Sequence, residues 1–403
     1  MTNFVQMYRS TDLNSPVLSG EQGKLVDLLN AVLVTGYTTA ALNGTITHAL
    51  AVATATLTVA NTTLRTGNWV TISGCTGVDA AYYNGTFQIT FDNSTQIRYT
   101  MTGTPSGNST TGSPVYAKAG LGWTKPFTDT GRGAFLPQAV TGYPRFYLYV
   151  HDNNPTADST NTFKQAAVRG YETMSGNIDS GLNPFPTVSQ AANGLCWRKS
   201  TTADATARPW VLVGNGRTFY FVPNSDASLT LGRCFGGFGG FESYKVGDSY
   251  NCFINGWAGF AATTQASAGT GLIYGCVGST FSVTGGAYAA RPLAQVGTPP
   301  LLANFVGLTS TVNGLGTVSG IIEYPAGADT GMWFQSPLMF ETASNRPRGR
   351  LSGLYSHCHL TLPSADGDEI PNVAGLTGTL LVCVTTTTSS TQGQVHLDIT
   401  GPW

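Results

Sequence analysis

The sequence predicts a mainly β protein. Its main domain is expected to be an antiparallel sheet or sandwich with one N-terminal helix. A small all-β module, barrel-like or Ig-like, is expected as an insert after that helix. Three observations carry this reading. Short runs rich in Val, Ile, Thr, Phe and Tyr alternate apolar with polar residues along the 403-residue chain, punctuated by Gly, Asn, Asp and Pro. One stretch, residues 25–33, has the three- and four-residue apolar spacing of a helix. Residues 210–222 read as a hairpin, two β-rich runs flanking Asn215-Gly216, a pair that tolerates the positive φ angles of a type I′ turn.

That hairpin opens the stretch around which the chain is organised, residues 210–257. Within it, every third residue from Phe235 to Phe241 is aromatic. Gly236, Gly237, Gly239 and Gly240 stand between the rings and permit close backbone approach. Residues 248–256 read as a further strand ending in a turn. Three or four antiparallel strands at the centre of a sheet are expected, with the aromatics in the core.

In chain order, residues 4–8 read as a strand, followed by a turn to Pro16. Ser19 and Gln22 match a capping box, Leu25, Leu28, Leu29, Val32 and Leu33 make one apolar stripe, and Gly36 is placed to close the helix. Composition then shifts. Residues 41–115 hold few charges and much Thr, with alternating runs at 55–59, 69–73, 85–91 and 96–101. Thr66-Gly67, Asn84-Gly85 and Asp92-Asn93 separate them. The core expected for this module is Leu57, Val59, Val70, Ile72, Phe87, Ile89, Ile97 and Tyr99. Residues 40–44 and 103–114 read as a linker and a solvated loop. The resulting organisation is one main β domain, residues 1–40 and 116–403, interrupted by the module at 41–115, an insertion that costs little closure entropy.

Beyond the module, residues 143–152 read as a strand with Phe146, Leu148 and Val150 on one face and Arg145, Tyr147 and Tyr149 on the other. Residues 165–172 are a second strand, 183–186 a Pro-rich turn, and 194–199 lead into the central stretch. Late strands are expected at 273–277, 317–324, 332–337, 349–360, 376–384 and 395–400. No repeat of 20 to 50 residues marks a solenoid or propeller.

Only 10% of residues are charged and the net charge is −1, against about 25% charged in ordinary domains. A polar, uncharged surface suits permanent burial against neighbouring copies. With a net charge of −1, nothing suggests the basic stripe that a nucleic-acid groove needs. No run approaches the ~20 apolar residues of a membrane helix. The first ten residues lack the charged-then-apolar order of a signal peptide, so synthesis in a cytoplasm is expected. The seven cysteines, Cys75, Cys196, Cys234, Cys252, Cys276, Cys358 and Cys383, are scattered and form no C-x-x-C. Buried free thiols are expected rather than a disulfide framework or a zinc knuckle.

No residue set reads as a catalytic, cofactor or metal site. His357 and His359 share one face of a strand, and His396 or His151 could join them around a metal. Two polar histidines on a strand face is the simpler reading. Asp366, Asp368 and Glu369 resemble the start of a calcium loop, but Ile370 and Thr377 stand where ligands are needed, so an acidic turn is expected. The Gly-rich run at 236–240 is neither a dinucleotide nor a phosphate loop, and no G-x-S-x-G elbow is present. Two acids distant in sequence can meet across a groove, and Asp152 and Glu172 join Asp366, Asp368 and Glu369 as the acids available. Tyr143, Tyr147, Tyr149 and Trp197 could line a sugar-binding face; a packed aromatic sheet explains them more simply.

Several stretches share a further likeness: residues 8–12 (Tyr-Arg-Ser-Thr-Asp), 16–20, 25–36, 118–127, 167–174, 183–186 (Asn-Pro-Phe-Pro), 217–220, 238–241 and 398–403. Together they resemble a family of structural proteins encoded by tailed phages and prophages of Gram-negative bacteria. The likeness covers most of 1–36 and 117–403 and not the 41–115 block. It carries no enzymatic motif. It implies a virion component and does not fix its place in the particle. Taken with the polar, uncharged, β-rich surface, it leads to the expectation of a non-enzymatic tail or adsorption-apparatus subunit assembled in the bacterial cytoplasm. The expected partners are further copies of the chain, other virion proteins and a host-surface glycan. A capsid-decorating or neck protein is the alternative within this class. A carbohydrate-binding or polysaccharide-degrading tailspike is the alternative outside it, although the β-helix regularity usual in such enzymes is absent.

Overall fold

The computed structural model describes residues 4–108, 111–153, 164–225, 235–257, 285–305, 334–336, 338–344, 346–357, 364–373, 376, 378–387 and 392–403. The chain is mainly β, with antiparallel pairing throughout the registered strands and one short helix near the N-terminus. It divides into two compact units. The larger holds Met1–Met7, Val17–Asp27 and Trp123–Trp403; the smaller holds Tyr8–Pro16 and Leu28–Gly122. The strands expected at 273–277 and 317–324 lie outside the described residues, as do Cys234, Cys276, Cys358, His359 and Thr377.

At the centre of the larger unit is an antiparallel meander of Trp210–Gly214, Thr218–Pro223, Gly236–Gly240 and Cys252–Trp257. The hairpin forms where the sequence places it, with Val213 opposite Tyr220 and Gly214 opposite Phe219. Its turn is not type I′. Neither Asn215 nor Gly216 takes a left-handed φ. Instead the Asn215 side-chain carbonyl accepts the backbone N–H groups of Arg217 and Thr218, at 2.8 and 2.9 Å. Asn acts here through its amide rather than its tolerance of positive φ.

From Cys252–Trp257 the sheet runs one way through Gly285–Ala289, Leu301–Phe305, Leu338–Glu341 and Arg346–Arg350. The other way it passes through Leu195–Arg198, Gln165–Thr173, Tyr147–His151, Arg132–Leu136 and Thr124–Asp129. Leu182–Phe185, expected as a turn, is a short strand beside Gln165–Thr173. A separate five-stranded sheet joins Phe334–Gln335, Leu354–His357, Gln392–Asp398, Leu380–Thr387 and Glu369–Pro371.

Both faces of the central meander are buried, and residue spacing explains how. In a strand, side chains alternate faces, so aromatics three apart fall on opposite sides. Phe235 and Phe241 accordingly join Tyr220, Val222, Phe253, Leu354 and Leu397 in one core. Phe238 points the other way, stacks on Phe185 with centroids 6.2 Å apart, and meets Trp123 at a tilt with centroids 6.1 Å apart. Phe219 packs edge-on against Trp123 and Trp197 on that second side. The glycines make room for the rings. A Cβ on Gly236 would stand 2.7 Å from the Trp197 ring, and one on Gly170 would stand 2.2 Å from Phe185. Each fully buried ring contributes about 1.5–3 kcal/mol through the hydrophobic effect.

The expected capping box does not form. The Ser19 hydroxyl donates to Glu21, and the helix, Lys24–Leu29, starts only after Gly23 and continues as a π-helical turn, Asn30–Thr35. Gly36 ends it at φ 70° and ψ 179°, an extended positive-φ conformation rather than the left-handed cap expected. The cap comes from a distant strand end. Asp152 accepts the Leu25 N–H at 2.8 Å, and its backbone carbonyl accepts the Gly23 N–H at 3.0 Å. The same carboxylate is 2.7 Å from Lys199 Nζ, with both side chains fully buried. Lys199 also donates to the Glu21 carbonyl. Burial pushes the Asp152 carboxyl up to about 6, with the Lys199 ammonium and the Leu25 N–H opposing it. Burial lowers the Lys199 ammonium pKa, with Asp152 opposing.

The smaller unit contains a seven-stranded sheet in the order Tyr37–Ala41, Thr111–Lys118, Trp69–Thr76, Gly85–Asn93, Gln96–Thr100, Val52–Thr56, Thr47–Ala49. Leu57, Val70, Ile72, Phe87, Ile89, Ile97 and Tyr99 form its core with Leu42, Ile46, Tyr83 and Tyr116. Val59 is a correction: it lies past the strand end and is 50% exposed. The segments expected as linker and solvated loop contribute strands, because Thr111–Lys118 pairs with both Tyr37–Ala41 and Trp69–Thr76. Asn84-Gly85 is not a hairpin turn. A helical turn, Ala80–Tyr83, precedes it, and the Asn84 amide closes onto both backbone groups of Cys75. Asp12 and Lys118 form a buried ion pair at 2.5 Å, joined by the Tyr37 hydroxyl at 2.9 Å.

Three outcomes are expected. Gly236→Val should destabilise the protein by about 1–3 kcal/mol through overpacking against Trp197, read from denaturant melts; an unchanged midpoint would contradict the packing. Lys199→Met should cost about 3–5 kcal/mol near pH 8, because it leaves a buried carboxylate unpaired. A carboxyl whose pKa is raised on folding favours the folded state fully below its unfolded value near 4, and that contribution is lost as pH rises through the folded value. The Lys199→Met deficit should therefore shrink at pH 5, and equal deficits at both pH values would refute the assignment. Finally, Val34 to Gly36 lies beside Lys118 to Gly120, with the Leu121 N–H on the Val32 carbonyl at 3.1 Å. Deleting 37–118 and joining Gly36 to Ala119 should leave a cooperative melt; loss of that transition would show that the smaller sheet is not separable.

Candidate functional site

Alternation along three paired strands builds a polar, aromatic face on the larger unit. Arg132 lies opposite His151 and Ala134 opposite Tyr149. Tyr149 in turn lies opposite Arg169, and Tyr147 opposite Tyr171. With a two-residue period, Arg132, Tyr147, Tyr149, His151, Arg169 and Tyr171 therefore share one side. Leu148, Val150 and Val168 point to the other side and are fully buried. The end of Tyr147–His151 is held by Asp152, whose N–H donates to the Gly131 carbonyl at 2.7 Å.

On this face a cavity of about 220 Å³ is lined by Tyr149, His151, Arg169, Tyr171 and Asn193, with no carboxylate among the described residues of its wall. Tyr149 and Tyr171 meet edge-to-face at 6.0 Å, and Tyr149 lies 6.2 Å from His151. Burial holds both tyrosine hydroxyls above the ordinary phenol value. Burial, then the nearby Arg132 charge, lowers His151 below the ordinary imidazole value, which favours its neutral form. Arg132 is itself engaged by Asp179 at 2.6 Å and by Asp129. Arg169 is only 6% exposed, and its Nη2 donates to the carbonyls of Ala191 and Ala192.

Two larger cavities are more fully occupied by internal pairing. One of about 610 Å³ is lined by Tyr143, Glu242, Lys245 and Asp248 among others. Its Asp248 is bonded to Arg348 and Ser243, its Glu242 to Arg350 and Ser352, and the Tyr143 ring is covered by Arg217 at 3.9 Å. The other, about 360 Å³, is lined by Glu172, Asn183 and Arg291. There Arg291 forks onto both oxygens of Glu172, at 2.5 and 2.6 Å.

The sugar-face candidates thus separate. Tyr147 and Tyr149 lie together on the polar face. Tyr143 belongs to a different cavity. Trp197 is 2% exposed, donates to the Asn255 carbonyl at 2.6 Å, and is a core residue. Of the acids, Asp152 and Glu172 are committed to ion pairs. Asp368 accepts the Ala365 N–H in a turn closed on Cys383. His151 and His396 do not share a site. His396 is buried edge-on against Phe334 and contacts Ser364, whereas His151 belongs to the polar face. The backbone of His357 pairs with that of Phe334. No group of three or more potential metal ligands occurs among the described residues, and no described helix is long and apolar enough to cross a membrane. Cys75, Cys196, Cys252 and Cys383 are buried free thiols.

Sequence reasoning did not single out Arg169, Tyr171, Arg132 or Asn193. Period-two alternation in 165–173 is a signal that Arg169 and Tyr171 share a face. Their partners across the sheet depend on register, which no local pattern states.

No family model matches the chain, and no curated protein matches it. Among solved structures it is similar to the phage phi92 endosialidase, at 10% identity and a TM-score of 0.16. The alignment covers 91% of this chain and 52% of that one, so the chain spans about half the length of that protein. A likeness this slight assigns neither fold nor activity.

Proposed function

We propose that the chain is a non-enzymatic structural subunit of a tailed-phage virion, acting in the tail or adsorption apparatus. The observation that carries this reading is a β-rich body with few charges, many of them consumed internally. Only 10% of residues are charged, and Lys118, Lys199, Arg208, Arg291, Arg348 and Arg350 all face carboxylates of the same chain. Such a surface offers little repulsion between copies, which suits closed symmetric assembly. The stretches resembling phage structural proteins point the same way. Further copies of the chain and other virion proteins are its partners, and the virion is its location.

Mass spectrometry and labelled electron microscopy of purified particles test this. The chain should be present and localise to the tail. Absence from mature virions would overturn the reading, and location on the head would favour a capsid-decorating or neck role. The aromatic face supports a second reading, a carbohydrate-binding tailspike. Incubation with host capsule or lipopolysaccharide should release no reducing ends; turnover would overturn the non-enzymatic assignment.

A further inference from the structure

Five cationic side chains are buried among the described residues: Lys118, Arg169, Lys199, Arg208 and Arg348. Four have a carboxylate partner in the chain, respectively Asp12, Asp152, Asp204 and Asp248 for Lys118, Lys199, Arg208 and Arg348. Arg169 differs. Among the described residues its partners are the carbonyls of Ala191 and Ala192, both bonded through Nη2, and the Tyr171 side chain. A buried charge without a counter-charge is costly, and this one lines a cavity with no acid among the described residues of its wall. Asp129 and Asp179, the described acids beside that face, are paired with Arg132.

We propose that the Arg169 cavity binds a carboxylate carried on a sugar-sized ring, an acidic saccharide unit. The planar guanidinium matches a carboxylate and supplies the missing counter-charge relationship. Tyr149 and Tyr171 present apolar ring surface to the C–H faces of a pyranose. The exposed Asn193 amide and the His151 ring are placed for its hydroxyls. At about 220 Å³ the cavity suits one monosaccharide unit rather than an extended chain. This goes beyond the virion assignment and does not depend on it, because it concerns the isolated chain.

Calorimetric titration of the full chain with methyl glucuronide, methyl glucoside and acetate tests the inference. The glucuronide should bind at least about tenfold more tightly than either other probe, about 1.4 kcal/mol. Arg169→Ala should remove the difference between glucuronide and glucoside. Because Arg169 also holds the 191–192 carbonyls, Tyr149→Ala and Asn193→Ala provide a second route. Each should weaken the glucuronide several-fold while the circular dichroism spectrum and melt are retained. Equal binding of glucoside, acetate as tight as the glucuronide, no binding at all, or no effect of either Tyr149→Ala or Asn193→Ala would each overturn it. Loss of virion location would leave this result untouched.

Discussion

Asp152 is the point on which the larger unit's ordering rests. Its carboxylate neutralises Lys199 and caps the Leu25 N–H, and its backbone joins Gly23 and Gly131. One residue thereby ties together a helix start, a hairpin end, and the segment following Leu195–Arg198. Removal of either member of a fully buried pair leaves a charge where water cannot reach it, so the arrangement is held in one geometry. The strands Arg132–Leu136 and Tyr147–His151, which carry the polar face, leave the sheet at this point. The face is consequently built on a rigid support rather than on a free loop.

The second constraint is steric. The central meander buries rings on both faces, and it does so by alternating bulk with its absence. Trp197 lies over Gly236 and Gly256, Phe185 over Gly170, and Tyr143 over Gly240. Gly239, at φ 138°, also lets the strand pass within van der Waals reach of the Arg217 carbonyl. Large rings on small residues give interior packing density without long aliphatic side chains, which is consistent with a chain this rich in Gly.

Charge is handled in the same restrained way. Several ion pairs are buried, as in Arg348 with Asp248 and Glu341. Against that background Arg169 stands out, because its surroundings are carbonyls and phenols instead of a carboxylate. The cavity beside Tyr143 is less informative than this small one, since its Glu242 and Asp248 already have cationic partners.

The sequence by itself determined the mainly β class, the central strands, the helix stripe with Gly36 at its end, and most of the smaller unit's core. These follow from local periodicity, which acts over a few residues wherever they sit in the fold. What tertiary structure decided were matters of distant partnership. The helix cap is Asp152 rather than Ser19, because a buried carboxylate already held by Lys199 lies over the first turn. Residues 111–118 form a strand despite their Ser, Thr, Gly and Pro, because two neighbouring strands supply its hydrogen bonds. Trp197 became core and Tyr149 part of a cavity wall, although both read alike as strand aromatics. Register and sheet order assign each residue to a face and bring Tyr149 opposite Arg169. Those depend on pairing free energies summed over whole strands, not on any motif in the chain.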